Sequence, residues 1–197
     1  MEHPGCAWCR SDPLLRLYHD TEWAVPVHDD NVLFEHLSLE VMQCGLNWLL
    51  MLKKRDIFRQ ALAGFDPEKL ADFSERDVEA ALAVPGMIRS RRKVEATVGN
   101  ARAFLAVQKE YGSFHRWLWN FTDGHMLIYD SHALAVPAKN ELSDRVSAAL
   151  RTRGFRYVGS ITIYSMLQAC GIINDHDRDC PRFCAVMQGA NVRHIHD

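Results

Sequence analysis

The 197-residue sequence lacks an excess of either charge: 23 lysines and arginines stand against 25 aspartates and glutamates, which gives a formal net charge of −2. Such a chain is not a polycation of the histone kind, so any contact with nucleic acid must come from local clusters of cations. It also lacks a long apolar run. The longest uncharged stretch, 157–173, is diluted by glycine and polar residues, whereas about 20 predominantly apolar residues are needed to cross a bilayer. We therefore expect no membrane partner.

Signal-peptide features, internal repeats and low-complexity linkers are lacking as well. We therefore expect a cytoplasmic protein, and because a typical domain has roughly 150 residues, the length predicts one unit. The sequence does contain six cysteines. In a chain of this size without an export signal, cysteines are more often metal ligands or buried thiols than disulfides.

Helical patterns dominate what is present. Asp29 and Asn47 are placed to cap two helices that Gly45 separates. The predicted helices cover 29–43 and 48–62, two short segments after Asp66 and Ser74, a long segment after Pro85-Gly86, and 143–153 and 160–169. No strand pattern with a period of two is evident. We expect an all-α fold with irregular ends at 1–26 and 174–197.

Cysteines and histidines are concentrated near the two ends of the chain, with spacings that suit a tetrahedral zinc site. On spacing alone, Cys6 and Cys9 form the strongest pair. Two of three further residues would complete that site: His176, Cys180 and Cys184. His19 is a lone candidate. The alternative is that these residues are free thiols and surface histidines.

Four cations directly follow the Pro85-Gly86 turn: Arg89, Arg91, Arg92 and Lys93. Because the amide groups of a helix N-terminus would face the same place, this segment is a candidate phosphate cradle. The alternative is a solvated helix face, which is the default for a run of charges.

Aromatic rings accompany polar side chains in two neighbouring segments. Tyr18 and Trp23 lie in the first, and Glu40, Gln43 and Trp48 lie in the second. Rings beside a carboxylate and an amide would suit a planar, cationic ligand that forms hydrogen bonds, such as an alkylated purine. The alternative is that Glu40 forms a salt bridge or cap and that Trp48 anchors the core.

Several blocks of sequence resemble one family. They are Tyr18-His19-Asp20-Thr21-Glu22-Trp23, Leu39-Glu40, Gln43-Cys44-Gly45-Leu46-Asn47-Trp48, Lys53-Lys54-Arg55, Arg89-Ser90-Arg91-Arg92-Lys93, Gly99-Asn100-Ala101-Arg102, Arg153-Gly154-Phe155 and the segment from Gln168 to His176. In this order, over residues 6–180, they resemble DNA-3-methyladenine glycosylase I, a zinc-containing branch of the helix-hairpin-helix glycosylases.

The resemblance implies roles for individual residues. The family's zinc ligands fall on Cys6, His19, His176 and Cys180, which would leave Cys9 and Cys184 as bystanders. The damaged base would lie against Tyr18 and Trp48, with Trp23 and Gln43 nearby and Glu40 bonded to the base edge. Leu46 would enter the gap in the duplex, and residues 84–93, which include Gly86, would hold the phosphates.

The resemblance also implies an architecture and a reaction. We expect one glycosylase unit with a helix-hairpin-helix core at 27–158 and a terminal region, 1–26 plus 159–197, joined by one structural Zn²⁺. The expected activity is base-excision repair: hydrolysis of the N-glycosidic bond of alkylated purines, chiefly N3-methyladenine, in double-stranded DNA by base flipping. No lysine is evidently placed for Schiff-base chemistry, so we expect a monofunctional enzyme. We also expect a monomer.

Three positions depart from the family's pattern. Leu15 stands where a second pocket tyrosine is usual, Ala24 where glycine is common, and Asn47 where serine is common. The loss of a ring and a hydroxyl at Leu15 motivates an alternative, namely a catalytically silent helix-hairpin-helix DNA-binding protein or a glycosylase with another lesion preference. A zinc-clipped module for protein contacts is a third hypothesis, which leaves the basic clusters unexplained.

Overall fold

The computed structural model describes residues 5–196, and most of them are helical. The helices are α1 (Pro13–Thr21), α2 (Asp30–Gln43), α3 (Trp48–Ala61), α4 (Pro67–Ala71), α5 (Glu75–Ala83), α6 (Arg91–Tyr111), α7 (Phe114–Trp119), α8 (Glu141–Thr152), α9 (Ser160–Ala169) and α10 (Pro181–Ala185). The strands are β1 (Met126–Tyr129) and β2 (Val192–Ile195). Short 3-10 helices cover Ala7–Ser11, Ala63–Phe65, Asn120–Thr122 and Ser131–Ala133. The expected mainly helical fold is confirmed.

Most helices begin where a side chain can accept a hydrogen bond from the first turn. The Asp29 carboxylate accepts from the Val32 N–H, and the Asn47 side-chain oxygen accepts from the Leu50 N–H at 2.8 Å. Ser74 begins α5 with a reciprocal capping box. These bonds satisfy amide groups that have no partner within the helix. The local sequence therefore decides where the helices that carry the site begin.

The main apolar core lies where α2, α6 and α9 meet α7 and α8. Phe34 of α2 contacts Phe104 of α6, with 5.1 Å between ring centroids, and Phe104 stacks on Phe114 at 4.1 Å. A second, smaller cluster packs α1 against the terminal segments and includes Leu15, Tyr18 and Leu52. The core thus holds α2 and α9 in place, and the small cluster attaches α1 beside them.

The two strands were not predicted, and the irregular ends were predicted wrongly in part. β1 and β2 pair in parallel, with Met126 opposite Val192. Neither strand alternates in sequence, since β1 is apolar throughout and β2 has two polar residues between two apolar ones. The segment 1–26 contains α1, which starts because Asp12 accepts from the Leu14 N–H and Pro13 occupies the first helical position. Over residues 5–196, no helix has the length and apolar character needed to cross a membrane.

Candidate active site and metal centre

A pocket of about 340 Å³ opens between α1, α2, α3 and α9. Its lining consists of Trp8, Tyr18, Trp23, Glu40, Gln43, Trp48, Val136, Ser165, Gln168, Asp175 and Asp177. The pocket therefore brings together all five residues singled out in the sequence as aromatic or polar partners of a base. A cavity of this volume, with apolar walls and a few polar groups, is typical of a site for a small planar ligand.

Aromatic rings form the walls of the pocket. The ring centroids of Tyr18 and Trp48 lie 5.3 Å apart with an interplanar angle of 53°, and those of Trp8 and Trp23 lie 5.0 Å apart in a T-shaped arrangement. Trp8 was missed in the sequence, although it directly follows the Cys6-Ala7 pair. Leu15 packs in the small cluster and is not among the described residues that line the pocket.

Glu40 places a carboxyl group in this apolar surrounding. The residue is 4% exposed, and burial raises its pKa to about 8. Without a bound cation, the group is therefore mainly protonated at neutral pH. A cation bound in the pocket would favour the ionised form, because an opposite charge stabilises a carboxylate.

A polar wall faces the rings and was not recognised in the sequence as part of the site. Asp175 accepts hydrogen bonds from the Tyr164 hydroxyl at 2.6 Å and from Gln168 Nε2 at 2.8 Å, and its other oxygen lies 2.6 Å from His132 Nδ1. The Gln168 amide is oriented by this contact. Because Nε2 donates to Asp175, the carbonyl oxygen remains as the acceptor of this side chain.

Beside the pocket, four buried side chains converge: Cys6, His19, His176 and Cys180. Their ligand atoms all lie within 4.8 Å of one another. His176 Nδ1 is 3.1 Å from His19 Nε2 and 3.6 Å from Cys6 Sγ, and Cys180 Sγ is 3.6 Å from His19 Nε2. This is the set that the family resemblance implies and not the set favoured by spacing. Cys9 instead donates to the Cys6 carbonyl, and Cys184 is exposed.

The geometry and chemistry of this cluster fit a metal ion. In a tetrahedral zinc site the ligand atoms lie roughly 3.3 to 3.8 Å apart, and the three distances given above, 3.1 to 3.6 Å, are close to this range. The far nitrogens of both histidines have partners, since His19 Nδ1 is 2.7 Å from Asp20 and His176 Nε2 is 3.3 Å from the Trp23 carbonyl. Such outer contacts orient metal-binding imidazoles. Burial also lowers the pKa of His176 to about 4 and so keeps it neutral, the form that binds metals.

Leu46 lies in the turn between α2 and α3, between the pocket residues Gln43 and Trp48 in the sequence. The turn is closed by a hydrogen bond from the Leu46 N–H to the Gln43 carbonyl and by one from Gln43 Nε2 to the Leu46 carbonyl, at 2.6 and 2.7 Å. Gly45 adopts φ +79°, which favours glycine. The Leu46 side chain is therefore held partly exposed by a fixed backbone.

The cations after Pro85-Gly86 have different surroundings. Arg89 and Arg92 are exposed. Arg91 forms ion pairs with Glu75, Glu79 and Glu95. Lys93 is buried, and its ammonium group binds main-chain carbonyl groups of Met42 and Cys44. At Gly86, φ is +82°, and the chain turns there between α5 and α6.

Comparison with known sequences identifies the family of this chain. The profile of a family described as Methyladenine glycosylase matches residues 8–183. The chain belongs to the methyladenine glycosylase family. The family's DNA-3-methyladenine glycosylase 1 from Escherichia coli is 42% identical over 176 residues, which cover 89% of this chain and 94% of that protein. The DNA-3-methyladenine glycosylase of Haemophilus influenzae is 40% identical over 177 residues, which cover 89% of this chain and 96% of the relative.

Solved structures of the methyladenine glycosylase family share the fold. A crystal structure of 3-methyladenine DNA glycosylase I is 42% identical to this chain and superposes with a TM-score of 0.85, covering 90% of this chain and 98% of that one. A structure described as the basis of 3-methyladenine recognition by the Staphylococcus aureus enzyme is 34% identical, with a TM-score of 0.85 and coverage of 89% and 94%. The predicted family membership is confirmed.

Proposed function

We propose that this protein is a monofunctional DNA glycosylase that hydrolyses the N-glycosidic bond of N3-alkylated purines, chiefly N3-methyladenine, in double-stranded DNA. The observation that carries the proposal is the buried carboxyl of Glu40 in an aromatic pocket, in a chain of the methyladenine glycosylase family. A protein that bound only phosphates would have no need of such a pocket.

The pocket suits an extruded, positively charged base. The rings of Tyr18 and Trp48 offer π faces to the cation, and an ionised Glu40 would pair with it and accept from its edge. The Gln168 carbonyl supplies a second acceptor. An exocyclic amine, as in adenine, donates to these acceptors, whereas the carbonyl oxygen of a guanine base would be repelled by them.

The chemistry requires little proton transfer to the base. A purine alkylated at N3 carries a positive charge, so when the bond between the sugar C1′ and the base nitrogen breaks, the base keeps the electron pair and leaves neutral. Water then bonds to C1′ and releases a proton. The enzyme's contribution is to bind the base and to stabilise the positive charge that develops on the sugar.

The DNA contacts proposed are Leu46 in the gap left by the extruded base and the helix-hairpin-helix segment at 84–93 on the phosphates. Arg89 and Arg92 are exposed, and no ion pair is described for either within residues 5–196; Gly86 allows the tight turn. The amide groups at the start of α6 face the same place. Extrusion costs a few kcal/mol and least for a damaged base, which favours lesions.

The metal proposed for the four-residue cluster is one structural Zn²⁺ held by Cys6, His19, His176 and Cys180. When bound, it would join the N-terminal segment to the segment after α9, beside Trp23, whose ring centroid is 4.6 Å from that of His176. Its role is to hold the pocket wall in place.

The experiment that tests this function is incubation of the protein with methylated duplex DNA and chromatographic identification of the released bases. We expect release of N3-methyladenine, reduced at least about tenfold in Glu40→Gln and unchanged in the exposed control Glu68→Gln. No release from DNA that the protein still binds would instead support a catalytically silent DNA-binding protein.

A further inference from the structure

Lys93 is a buried cation that forms hydrogen bonds with the main chain at the end of another helix. It lies in the first turn of α6 and is 8% exposed. Its ammonium group donates to the carbonyl oxygens of Met42 and Cys44, both at 2.7 Å. These carbonyls belong to the C-terminal end of α2, where carbonyl groups have no partner within the helix. The ammonium group therefore completes the end of α2.

The carbonyls bound by Lys93 flank the start of the turn that carries Leu46. Residues 43–47, the Leu46 turn, run from the last residue of α2 to the residue before α3. The Asn47 cap holds the far end of this turn at the first turn of α3. Lys93 holds the near end. Within residues 5–196, the turn also has hydrogen bonds between Gln43 and Leu46, from the Cys44 N–H and thiol to the Glu40 carbonyl, and between the Cys44 thiol and the Thr162 hydroxyl.

A phosphate contact by Lys93 would disturb this arrangement. To reach a phosphate, the ammonium group would leave two carbonyls without partners, and buried polar groups without partners destabilise a protein. Arg89 and Arg92, on the same segment, reach solvent without such a loss. Burial also lowers the pKa of Lys93, which agrees with an ammonium group withdrawn from solvent.

We propose that Lys93 is a positioning residue that joins α6, and with it the segment proposed to hold phosphates, to the Leu46 turn, so that docking on the phosphates aligns Leu46 with the gap in the duplex. This inference rests on the proposed function. Lys93 then contributes to the recognition of a gap in the base stack and not to the general attraction for DNA.

The test compares binding to two labelled duplexes, one intact and one with a tetrahydrofuran abasic-site analogue, over a range of salt concentrations. The preference is the Kd for the intact duplex divided by the Kd for the abasic duplex. We expect Lys93→Met to lower this ratio at least about tenfold, with no change in the salt dependence of binding to the intact duplex. Leu46→Ala should lose the same preference. Lys109 is an exposed lysine of the same helix, and Lys109→Met should keep the preference for the abasic duplex.

Lys93→Gln removes the charge but keeps a donor for the carbonyls, so it provides a folded variant if Lys93→Met unfolds. A phosphate contact at Lys93 predicts that both duplexes are bound more weakly and that the salt slope falls by about 0.9 in Lys93→Gln. That result would overturn the inference, as would an unchanged preference in Lys93→Met. Failure of the wild-type protein to release N3-methyladenine would instead count against the proposed function.

Discussion

Glu40 is an acid on a helix whose neighbouring side chains are buried and mostly apolar. Burial holds its pKa near 8, so its protonation changes within a range that activity assays can reach. Because the pKa is raised, the carboxyl is protonated below about pH 8 and ionised above it. A cationic base requires the ionised form in this proposal.

We therefore expect kcat/KM for N3-methyladenine release to rise up to roughly tenfold per pH unit as pH approaches 8 and to level off above it. In Glu40→Gln the rate should be low and this rise should disappear. The measurement is single-turnover release at enzyme concentrations below the Kd for the lesion, which gives kcat/KM, between about pH 6 and pH 9, with spontaneous depurination subtracted. A flat profile in the wild-type protein would contradict the role of Glu40.

At the residue scale, the type of side chain alone did not indicate every role. Glu40 and Trp48 could be selected in the sequence because a carboxyl and a ring near a helix break are unusual together. The contacts of Lys93 could not be inferred from its neighbours, since it lies in a run of cations but donates to carbonyls 51 and 49 residues away. Gln168 and Asp175 belong to the pocket only because α9 packs against α2.

At the scale of elements, short-range signals predicted helix starts well. Asn47, Asp66 and Ser74 each accept a hydrogen bond from the following turn, as their positions suggest. The same signal, Asp12 before Pro13, was present for α1 but was assigned to an irregular end. The parallel pairing of β1 with β2 joins residues 66 positions apart, and no local pattern encodes such a contact.

The segment at the start of α6 allows a prediction about its individual cations. The salt slope is the change in the logarithm of the binding constant with the logarithm of the salt concentration. Arg89→Ala combined with Arg92→Ala should reduce its magnitude by up to about 1.8, because each lost phosphate contact reduces it by about 0.9. Arg91→Ala should change it less, since three glutamates surround the Arg91 guanidinium group.

Fluorescence anisotropy with an intact duplex at several salt concentrations measures these slopes. Arg116→Ala, which changes an exposed cation of α7, is the control. An equal loss of slope in Arg91→Ala and in the double variant would show that the ion pairs of Arg91 open on DNA.

At the scale of the whole molecule, the cysteine and histidine cluster joins parts of the chain that are far apart in sequence. Cys6 and His176 are 170 positions apart, so a metal bound there would couple the terminal segments to the pocket. Because a metal site rarely forms in the unfolded chain, binding contributes directly to folding.

We expect about one zinc ion per chain. Chelation should lower the thermal midpoint by about 10 °C or more, because a metal contributes several kcal/mol to the free energy of unfolding. Each kcal/mol shifts the midpoint by about 2–4 °C in a chain of this size. Elemental analysis and thermal unfolding measure both. Cys180→Ser should lose the metal, whereas Cys184→Ser should retain it. Metal-free protein of unchanged stability would refute a structural ion.

The sequence by itself determined the mainly helical fold, the caps that begin most helices, the family, and the residue types of the pocket. The helices and their caps depend on side chains within a few positions of each other, and the family is indicated by blocks of sequence. The tertiary structure decided which cysteines meet, which cations remain free and that Asp175 orients Gln168 in the pocket. These contacts depend on packing between elements that are far apart along the chain. The spacing of residues in the sequence does not determine the distances between side chains after packing.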